Sequence, residues 1–406
     1  MVNFRPTHAV IDLKALKHNY QEVVKRLPKG VGVLTMVKAD AYGHGAVAVA
    51  KVFEACGAVC LGVATIEEGI ELRQAGVKAK ILVMAPPLDL PQNEDMVSER
   101  LQGARSSGGV GGLGGEGKEA AEILLKHCLT PVVHSAGVIE LLGEQAKVQK
   151  ADVIVHLKID TGMNRLGVTP QALPKVLKGL AKVPQVKLEG VMTHLAWRQN
   201  KENTDKQVKL FKEAGAKILA TLGKIPVWHI ANSASVMEGS PIEFDWASKY
   251  WVRPGIMLYG IPPYPEFSKK ADLKPVMSLK SKVALMKQVP KGTKVSYNCT
   301  FTTKRSSCIG VVPIGYADGY PWSVAGKASV LVEDKRVPVL GRVTMDMIMV
   351  DLTDSPKAKV GSEVVLLGKQ GAEQISADEI AKWAGTIGYE IVCRVSKRMP
   401  RVYYRG

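Results

Sequence analysis

The chain has 406 residues, of which 46% are hydrophobic, 6% aromatic and 23% charged, and its formal net charge is +17. This length predicts two domains, with enough apolar side chain for a sizeable core. The lysines are scattered, aromatic residues are few and no recognition-helix or RNA-binding motif is present, so we expect no nucleic-acid partner despite the charge.

The chain also lacks the patterns of membrane and metal-binding proteins. No apolar run is long enough to span a membrane, and the first residues do not resemble a signal peptide, so we expect a cytoplasmic protein without a membrane contact. The cysteines have no paired metal-ligand spacing. We predict no metal site, and reduced thiols that mostly fill the core, at Cys56, Cys60, Cys128, Cys299, Cys308 and Cys393.

The first elements lead to a lysine at the end of a buried strand. Asp12 is typical of a helix N-cap, and the apolar run 31–37 that follows the helix predicts a strand ending at Lys38. Because its stem lies among apolar side chains, Lys38 is a candidate Schiff-base former. A solvated lysine at a strand end is the alternative when Lys38 is judged alone.

Strand and helix patterns alternate from here to about residue 270. The further predicted strands are 59–63, 80–84, 130–133, 153–159, 186–194, 227–230 and 251–259. Eight such units predict an α/β fold with a (β/α)8 TIM-type barrel over residues 11–270. Pro254 and Gly255 predict an irregular eighth strand.

A glycine-rich segment near residues 88–117 interrupts the pattern before the fourth strand. It has no lysine-threonine ending of a phosphate-binding loop and no strand directly before it. We therefore predict a mobile insertion rather than a nucleotide site.

From residue 271 the pattern changes to short β-branched runs. Predicted strands are 280–289, 306–313, 328–332, 337–343 and 347–352, with one helix near 376–383. The absence of intervening helices predicts a separate, mainly β domain over 271–406.

Polar residues collect where the barrel strands end, which is where enzymes of this architecture place their sites. These are Lys38, the run from Lys158 to Arg165, His194, Asn232 with Ser233, and Arg253.

Short motifs run along nearly the whole chain. They are VKADAYGHG (37–45), DTGMNRLG (160–167), THLA (193–196), ANSAS (231–235), RPGIMLYG (253–260), VSYN (295–298), IGYADGY (314–320), GRVTMDM (341–347), TIGYE (386–390) and RMPRVY (398–403). Through these motifs the chain resembles the alanine racemases. The resemblance implies a pyridoxal-phosphate enzyme that interconverts L- and D-alanine and supplies D-alanine for bacterial peptidoglycan. It also implies that residues 1–10 join the β domain.

The resemblance implies two catalytic bases, because racemisation removes a proton from one face of the substrate and returns one to the other. They are Lys38 and Tyr297. His194, linked to Arg253, would assist Tyr297, and Arg253 would face the pyridine nitrogen as a donor that keeps this nitrogen unprotonated. Judged alone, Tyr297 and His194 would be an ordinary strand tyrosine and a core histidine.

The resemblance also implies the remaining contacts. Arg165 would bind the cofactor phenolic oxygen and the substrate carboxylate, positioned by a carbamate on Lys158, although the sequence leaves an unmodified lysine open. The cofactor phosphate would be bound by Tyr42, Ser233, Gly255, Ile256 and Tyr389, beside Asn232, a residue type that also caps helices.

Residues from a second subunit would complete the site, which implies a homodimer. Met345 and Asp346 would reach the substrate carboxylate from that subunit, as Tyr297 and Tyr316 would reach the site. Asn298 and Thr344 depart from the family pattern, in which glycine and cysteine are common at these positions.

Two other functions stay open at this point. One is a racemase of broader specificity, but Lys158 and Tyr389 argue for the alanine type, because Tyr389 would narrow the pocket to a methyl-sized side chain. A non-catalytic pyridoxal-phosphate carrier would lack the second domain and its tyrosine.

Overall fold

The computed structural model describes residues 5–85, 114–239, 244 and 246–404. The chain folds into two compact units. The barrel unit contains Val23–Lys38 and Phe53–Gly255, and the sheet unit contains Met1–Glu22, Ala39–Val52 and Ile256–Gly406. The domain limits expected from the sequence, 11–270 and 271–406, stay a prediction.

Eight parallel strands of the described residues close into a barrel. They are β2 (Gly32–Met36), β3 (Cys60–Val63), β4 (Ile81–Val83), β5 (Thr130–Val133), β6 (Val153–Lys158), β7 (Val186–Met192), β8 (Val227–His229) and β9 (Lys249–Val252). β2 closes the ring by pairing Gly32 with Trp251 and Val33 with Val252 of β9. The predicted barrel is confirmed, because each short apolar run has a parallel neighbour on both sides.

The eighth barrel strand is shorter than predicted. β9 ends at Val252 instead of continuing to Tyr259, and a 3-10 helix occupies Ile256–Tyr259. The strand stops here because Pro254 has no amide hydrogen to give to the ladder. The predicted irregularity is confirmed and the predicted length is wrong.

Helices follow most of the barrel strands along the chain. The helices up to residue 239 are α1 (Leu13–Val24), α2 (Ala46–Ala55), α3 (Ile66–Gln74), α4 (Gly114–Lys126), α5 (Ala136–Val148), α6 (Leu173–Lys182), α7 (Lys201–Leu222) and α8 (Ser233–Met237). Oδ1 of Asp12 caps α1 by accepting from the Lys14 and Ala15 amides at 2.8 and 2.9 Å. In the described part of the chain, no helix is long and apolar enough to cross a membrane.

The predicted insertion at 88–117 lies mostly outside the described residues, which resume at residue 114. Its last four residues belong to α4, which begins at Gly114. The prediction of a loop is therefore wrong for 114–117.

The sheet unit is built on one mixed sheet with the order β11-β14-β17-β16-β15-β18-β10-β1-β20, in which β19 pairs with β18. Its strands are β1 (His8–Asp12), β10 (Met277–Lys282), β11 (Leu285–Val289), β14 (Ser307–Val312), β15 (Ser329–Val332), β16 (Lys335–Leu340), β17 (Ile348–Asp351), β18 (Glu363–Gln370), β19 (Glu373–Ile375) and β20 (Arg401–Tyr404). Two short strands, β12 (Lys294–Val295) and β13 (Phe301–Thr302), pair separately. Helices α9 (Ala377–Ala384) and α10 (Gly388–Cys393) follow β19.

The single strand predicted over 280–289 is two strands, β10 and β11. Between them the chain changes partners. Val283 donates to the Ser362 carbonyl beyond β10, and Ala284 donates to the Val311 carbonyl of β14. The β-branched pattern continues through this exchange, so the sequence alone does not reveal it.

All six cysteines are free thiols, as predicted. Only Cys60 and Cys308 are buried, and Cys128, Cys299 and Cys393 are exposed. The expectation that the cysteines mostly fill the core is therefore wrong.

Candidate active site

The carboxyl ends of the barrel strands form one rim, which we call the barrel mouth. Lys38 follows β2, Lys158 ends β6, His194 follows β7 and Arg253 follows β9. Lys158 and Arg253 are buried, with 6% and 4% of their surface exposed. Residues far apart in the sequence therefore bring basic side chains to one end of the barrel.

The guanidinium of Arg253 is held by main-chain carbonyl oxygens. Nη1 donates to the carbonyl of His229 at 2.6 Å, and Nη2 donates to those of Thr193 at 2.6 Å and Ile230 at 3.3 Å. Burial lowers the pKa of Arg253 to about 9. These three acceptors fix the guanidinium plane between the ends of β7 and β8.

Lys158 and His194 at the barrel mouth also lie close to positively charged side chains. Burial, followed by the charges of Arg165 and Arg253, lowers the pKa of Lys158 to about 8, while the Asp160 carboxylate opposes this shift. Burial and the charges of Arg253, Arg165, Lys158 and Lys38 lower the pKa of His194 to about 3. His194 is therefore neutral near pH 7.

Arg165 is carried by a tightly turned loop after β6. Oδ1 of Asp160 accepts from the amides of Gly162 and Asn164 at 3.0 and 3.1 Å. Asn164 has φ +51°, a left-handed conformation that asparagine tolerates better than most residues. Gly167 lies so close that a Cβ there would meet the Asp160 amide at 2.7 Å. The DTGMNRLG run thus encodes the loop as well as its arginine.

Ser233 joins the loops after β8 and β9. Its Oγ accepts from the Gly255 amide at 2.9 Å. Oδ1 of Asn232 accepts from the amides of Ala234 and Ser235 at 3.1 and 3.2 Å, which begins α8. Loops at these positions commonly bind phosphate in barrels of this type.

The backbone directly after Lys38 forms a left-handed turn. Ala39, Asp40, Ala41 and Tyr42 have φ between +52° and +54°. The sequence predicts only a loop loosened by glycine at this point, because left-handed turns of non-glycine residues are rare and cost roughly 1–2 kcal/mol per residue. Nδ1 of His44 supports the turn by donating toward the carbonyls of Tyr42 at 2.8 Å and Ala41 at 3.0 Å.

Within the sheet unit, Tyr42 packs between two other tyrosines. Its ring centroid lies 4.8 Å from that of Tyr259 and 6.4 Å from that of Tyr389. Burial raises the pKa of Tyr42 and of Tyr389, so both hydroxyls stay protonated and able to donate. Ile256 is the first residue of the 3-10 helix Ile256–Tyr259 and is buried.

Tyr297, Tyr316 and Met345 lie on exposed loops of the sheet unit, with 70%, 42% and 51% of their surface exposed. The Tyr316 amide donates to the Thr344 carbonyl at 3.0 Å, and the Ala317 amide donates to the Met345 carbonyl at 3.1 Å, so two of the loops are joined. Asp346 accepts from Nη2 of Arg398 at 2.6 Å.

The two departures from the family pattern have local explanations. Asn298 has φ +59°, a conformation in which asparagine is a common substitute for glycine. Thr344 closes a short turn, because its Oγ1 donates to the Met347 carbonyl at 2.8 Å and accepts from the Met347 amide at 3.2 Å.

Sequence reasoning missed a polar cluster deeper in the barrel, formed by Lys80, His156, Glu189 and His229. His156 pairs with both Glu189 and His229. The one sequence signal is spacing, since His156 precedes Lys158 by two residues and so shares its face of β6.

The barrel mouth fits an anionic cofactor that binds to an amine. Lys38, Lys158, Arg165 and Arg253 bring four cations together, and Asp160 is the carboxylate that acts on Lys158. A phosphate and a phenolate would balance this excess of positive charge. Pyridoxal phosphate supplies both groups and an aldehyde for Lys38.

Comparisons with known proteins agree with this chemistry. Residues 11–104 and 99–263 match the alanine racemase N-terminal domain, and residues 276–403 match the alanine racemase C-terminal domain. The alanine racemase of Halothermothrix orenii is 39% identical over 405 residues, covering 98% of this chain and 97% of that protein. That of Syntrophobacter fumaroxidans is 39% identical over 398 residues, with 98% and 97% covered.

Solved structures give the same result. The alanine racemase of Clostridium difficile superposes with a TM-score of 0.86 at 34% identity, over 100% of this chain and 97% of that one. The Bartonella henselae alanine racemase with covalently bound pyridoxal phosphate superposes with a TM-score of 0.78 at 26% identity, over 98% and 99%. The chain therefore belongs to the alanine racemase family, whose members are isomerases.

Proposed function

We propose that the chain interconverts L-alanine and D-alanine with pyridoxal phosphate, using Lys38 and Tyr297 as its two bases. The observation that carries this proposal is the group of four cations around a neutral His194 at the barrel mouth. We further propose that the enzyme is a cytoplasmic homodimer and that its D-alanine enters bacterial peptidoglycan.

The residues assigned to the cofactor have complementary groups. Lys38 supplies the amine, Arg253 donates to the ring nitrogen, and Arg165 donates to the phenolic oxygen. The phosphate is assigned to Ser233 and the Gly255 amide, together with Tyr42, Ile256 and Tyr389, which the family resemblance implies; Asn232 holds the Ser233 segment. When bound, pyridoxal phosphate withdraws electrons and makes the α-hydrogen of an amino acid acidic.

Lys38 and Tyr297 then hold and move the proton on opposite faces of the substrate. Nζ of Lys38 removes the proton from one enantiomer, and Oη of Tyr297 donates a proton to the opposite face; the reverse reaction exchanges their roles. Neutral His194 can accept a hydrogen bond from the Tyr297 hydroxyl, and Arg253 next to it disfavours a charged imidazole.

Exposure of the sheet-unit residues supports a site completed by a second copy of the chain. A base needs an environment that excludes water, yet 70% of the Tyr297 surface is exposed in a single copy. Tyr316, Met345 and Asp346 are assigned to the same contribution, with Met345 near the substrate carboxylate.

Lys158 is proposed to become a carbamate. Its lowered pKa, about 8, leaves a useful fraction of neutral amine near pH 7. That amine adds to carbon dioxide and releases a proton, which replaces a cation by an anion. The anion accepts a hydrogen bond from Arg165 instead of repelling it.

The test is circular dichroism of L-alanine incubated with the protein loaded with pyridoxal phosphate, with L-serine and L-lysine in parallel. We expect the alanine signal to decay to zero while the other two persist. Decay of all three would replace the proposal by a racemase of broad specificity. No decay despite bound cofactor would replace it by a carrier.

A further inference from the structure

A row of hydrogen-bonded polar side chains lies inside the barrel, at positions without a role in the proposed chemistry. His156 and His229 are 0% and 1% exposed. Nδ1 of His156 lies 2.9 Å from Nε2 of His229, and Nε2 of His156 lies 3.0 Å from Oε2 of Glu189. Glu189 also pairs with Lys80. We call these four residues the imidazole chain.

Such a group is unusual, because barrel interiors are mostly filled by branched apolar side chains. Burying polar groups costs free energy, and a buried ion pair contributes little to stability compared with apolar packing. The imidazole chain is therefore poorly explained as a device for stability.

The surrounding backbone is shaped to hold the imidazole chain. The register of β6 and β7 shifts after Val155, because Val155 pairs with Leu188 and His156 pairs with Gly190. Glu189 is therefore the extra residue of a β-bulge. A Cβ at Gly190 would lie 2.5 Å from the His156 ring. The Trp251 ring packs against His156 and His229, with centroids 5.6 and 6.0 Å away.

The hydrogen bonds in the imidazole chain run in one direction. The hydrogen bond with His156 lowers the pKa of Glu189 to about 2, so Glu189 is a carboxylate that only accepts. Nε2 of His156 must then carry the hydrogen. Burial lowers the pKa of His156 and keeps the ring neutral, which leaves Nδ1 of His156 to accept from Nε2 of His229.

The far end of the imidazole chain holds Arg253. The carbonyl of His229 accepts from Nη1 of Arg253 at 2.6 Å. Both imidazoles donate toward Glu189, so the lone-pair ends of their dipoles face away from it. Nδ1 of His229 is at that end, and it has no hydrogen-bond partner within the described residues.

We propose that the imidazole chain positions Arg253. It fixes the main chain at His229, and it aligns the dipoles of the two imidazoles. Both effects keep the guanidinium in one orientation. The proposal rests on the role assigned above to Arg253 at the cofactor ring nitrogen. His156, His229 and Glu189 are thus positioning residues and do not touch the cofactor.

Two substitutions of His229 separate this role from simple packing. His229→Gln keeps a donor where Nε2 stands, whereas His229→Phe keeps a ring and removes the donor. Val155→Ala is the matched control, because Val155 is a fully buried neighbour of His156 whose side chain points to the other face of β6.

The first readout uses cofactor-free protein. Two-bond proton–nitrogen NMR spectra of protein labelled with ¹⁵N at histidine and arginine should give His156 and His229 as neutral rings with the hydrogen on Nε2. The Arg253 Nε resonance should move in His229→Phe and stay near its wild-type position in His229→Gln and Val155→Ala.

The second readout is the dissociation constant of pyridoxal phosphate. We expect it to rise about tenfold or more in His229→Phe, the effect of weakening one hydrogen bond to a charged group. His229→Gln should keep most of the wild-type affinity. Val155→Ala should lower thermal stability without raising the dissociation constant of pyridoxal phosphate.

A hydrogen on Nδ1 of His156, or an Arg253 resonance that does not respond to His229→Phe, would overturn the positioning role. Equal cofactor affinity in wild type and His229→Phe would also overturn it. Failure of the proposed function has a different signature, because wild-type protein would then not bind or not use pyridoxal phosphate while the NMR result stood.

Discussion

His194 is the residue whose charge state depends most visibly on its neighbours. It lies near Arg253, Arg165, Lys158 and Lys38, and burial together with these charges lowers its pKa from 6.5 to about 3. The folded protein therefore resists protonating this ring over a range of pH in which the unfolded chain accepts a proton.

This difference predicts a pH dependence of stability. As the pH falls below 6.5, the unfolded chain binds a proton at His194 that the folded protein refuses until about pH 3, so the free energy of unfolding decreases through this window. His194→Gln should make the decrease shallower by up to about one proton. Urea denaturation between about pH 7 and pH 4 measures how the free energy of unfolding depends on pH in wild type and in His194→Gln. Above pH 7 the two slopes should coincide.

Identical slopes for the two proteins below pH 6 would contradict the neutral state of His194. The sequence predicts that His194 lies at a strand end, because the apolar run before it is clear. It does not predict the neutral state, which depends on four cations that only the closed barrel brings together.

The left-handed turn after β2 is the element with the least sequence support. Four consecutive non-glycine residues, 39–42, adopt positive φ, and Gly43 continues the turn with φ +80°. A Cβ at Gly43 would lie 2.1 Å from the Val392 carbonyl oxygen. Nη2 and Nε of Arg401 donate to the Gly43 carbonyl oxygen at 3.0 and 3.2 Å and so stabilise the turn.

A pair of glycine substitutions tests the close approach at this turn. Gly57 has a similar φ of +88° with nothing within 4 Å of a Cβ, so Gly57→Ala should cost about 1 kcal/mol from backbone strain alone. Gly43→Ala should cost about 1 to 3 kcal/mol more, because its methyl group must displace the Val392 main chain. Chemical denaturation measures both.

Equal losses of stability in the two variants would mean that the Val392 contact is not as close as described. Elements with a clear pattern, such as β6 and α9, were predictable within a few residues. The turn at 39–42 and the bulge at Glu189 were not, because each is stabilised by residues distant in the sequence.

At the scale of the whole molecule, the exposed loops with Tyr297, Tyr316 and Met345 are the feature that a single copy does not explain. Trp322 adds to the exposed surface, with 51% exposure and the Arg342 guanidinium 5.0 Å from its ring centroid. Ser296, next to Tyr297, donates to the Arg342 carbonyl at 2.8 Å, which joins these segments. In the proposed homodimer, a second copy of the chain would cover them.

A mixing experiment tests whether the two bases come from different copies. Lys38→Ala and Tyr297→Phe should each be nearly inactive alone. Mixing equal amounts under conditions of subunit exchange should restore about one quarter of wild-type activity, because half of the dimers are mixed and each has one intact site. Racemisation before and after exchange is the measurement.

No recovery, with exchange verified by labelled subunits, would mean that both bases belong to one chain. Wild-type protein carried through the same exchange is the control for losses in handling. The motifs around 297 and 345 predict the contributing residues, but their exposure became visible only in the folded sheet unit.

The place of β1 in the sheet has a consequence for synthesis. β1 lies between β10 and β20, and Ala9 pairs with Leu279 on one side and Arg401 on the other. On the ribosome, β1 has neither neighbour until β10 (Met277–Lys282) has been translated, and it gains the second only with β20 (Arg401–Tyr404). The sheet can therefore be completed only after residues 401–404 have been translated, and a ribosome stalled before residue 401 would present β1 with an open edge.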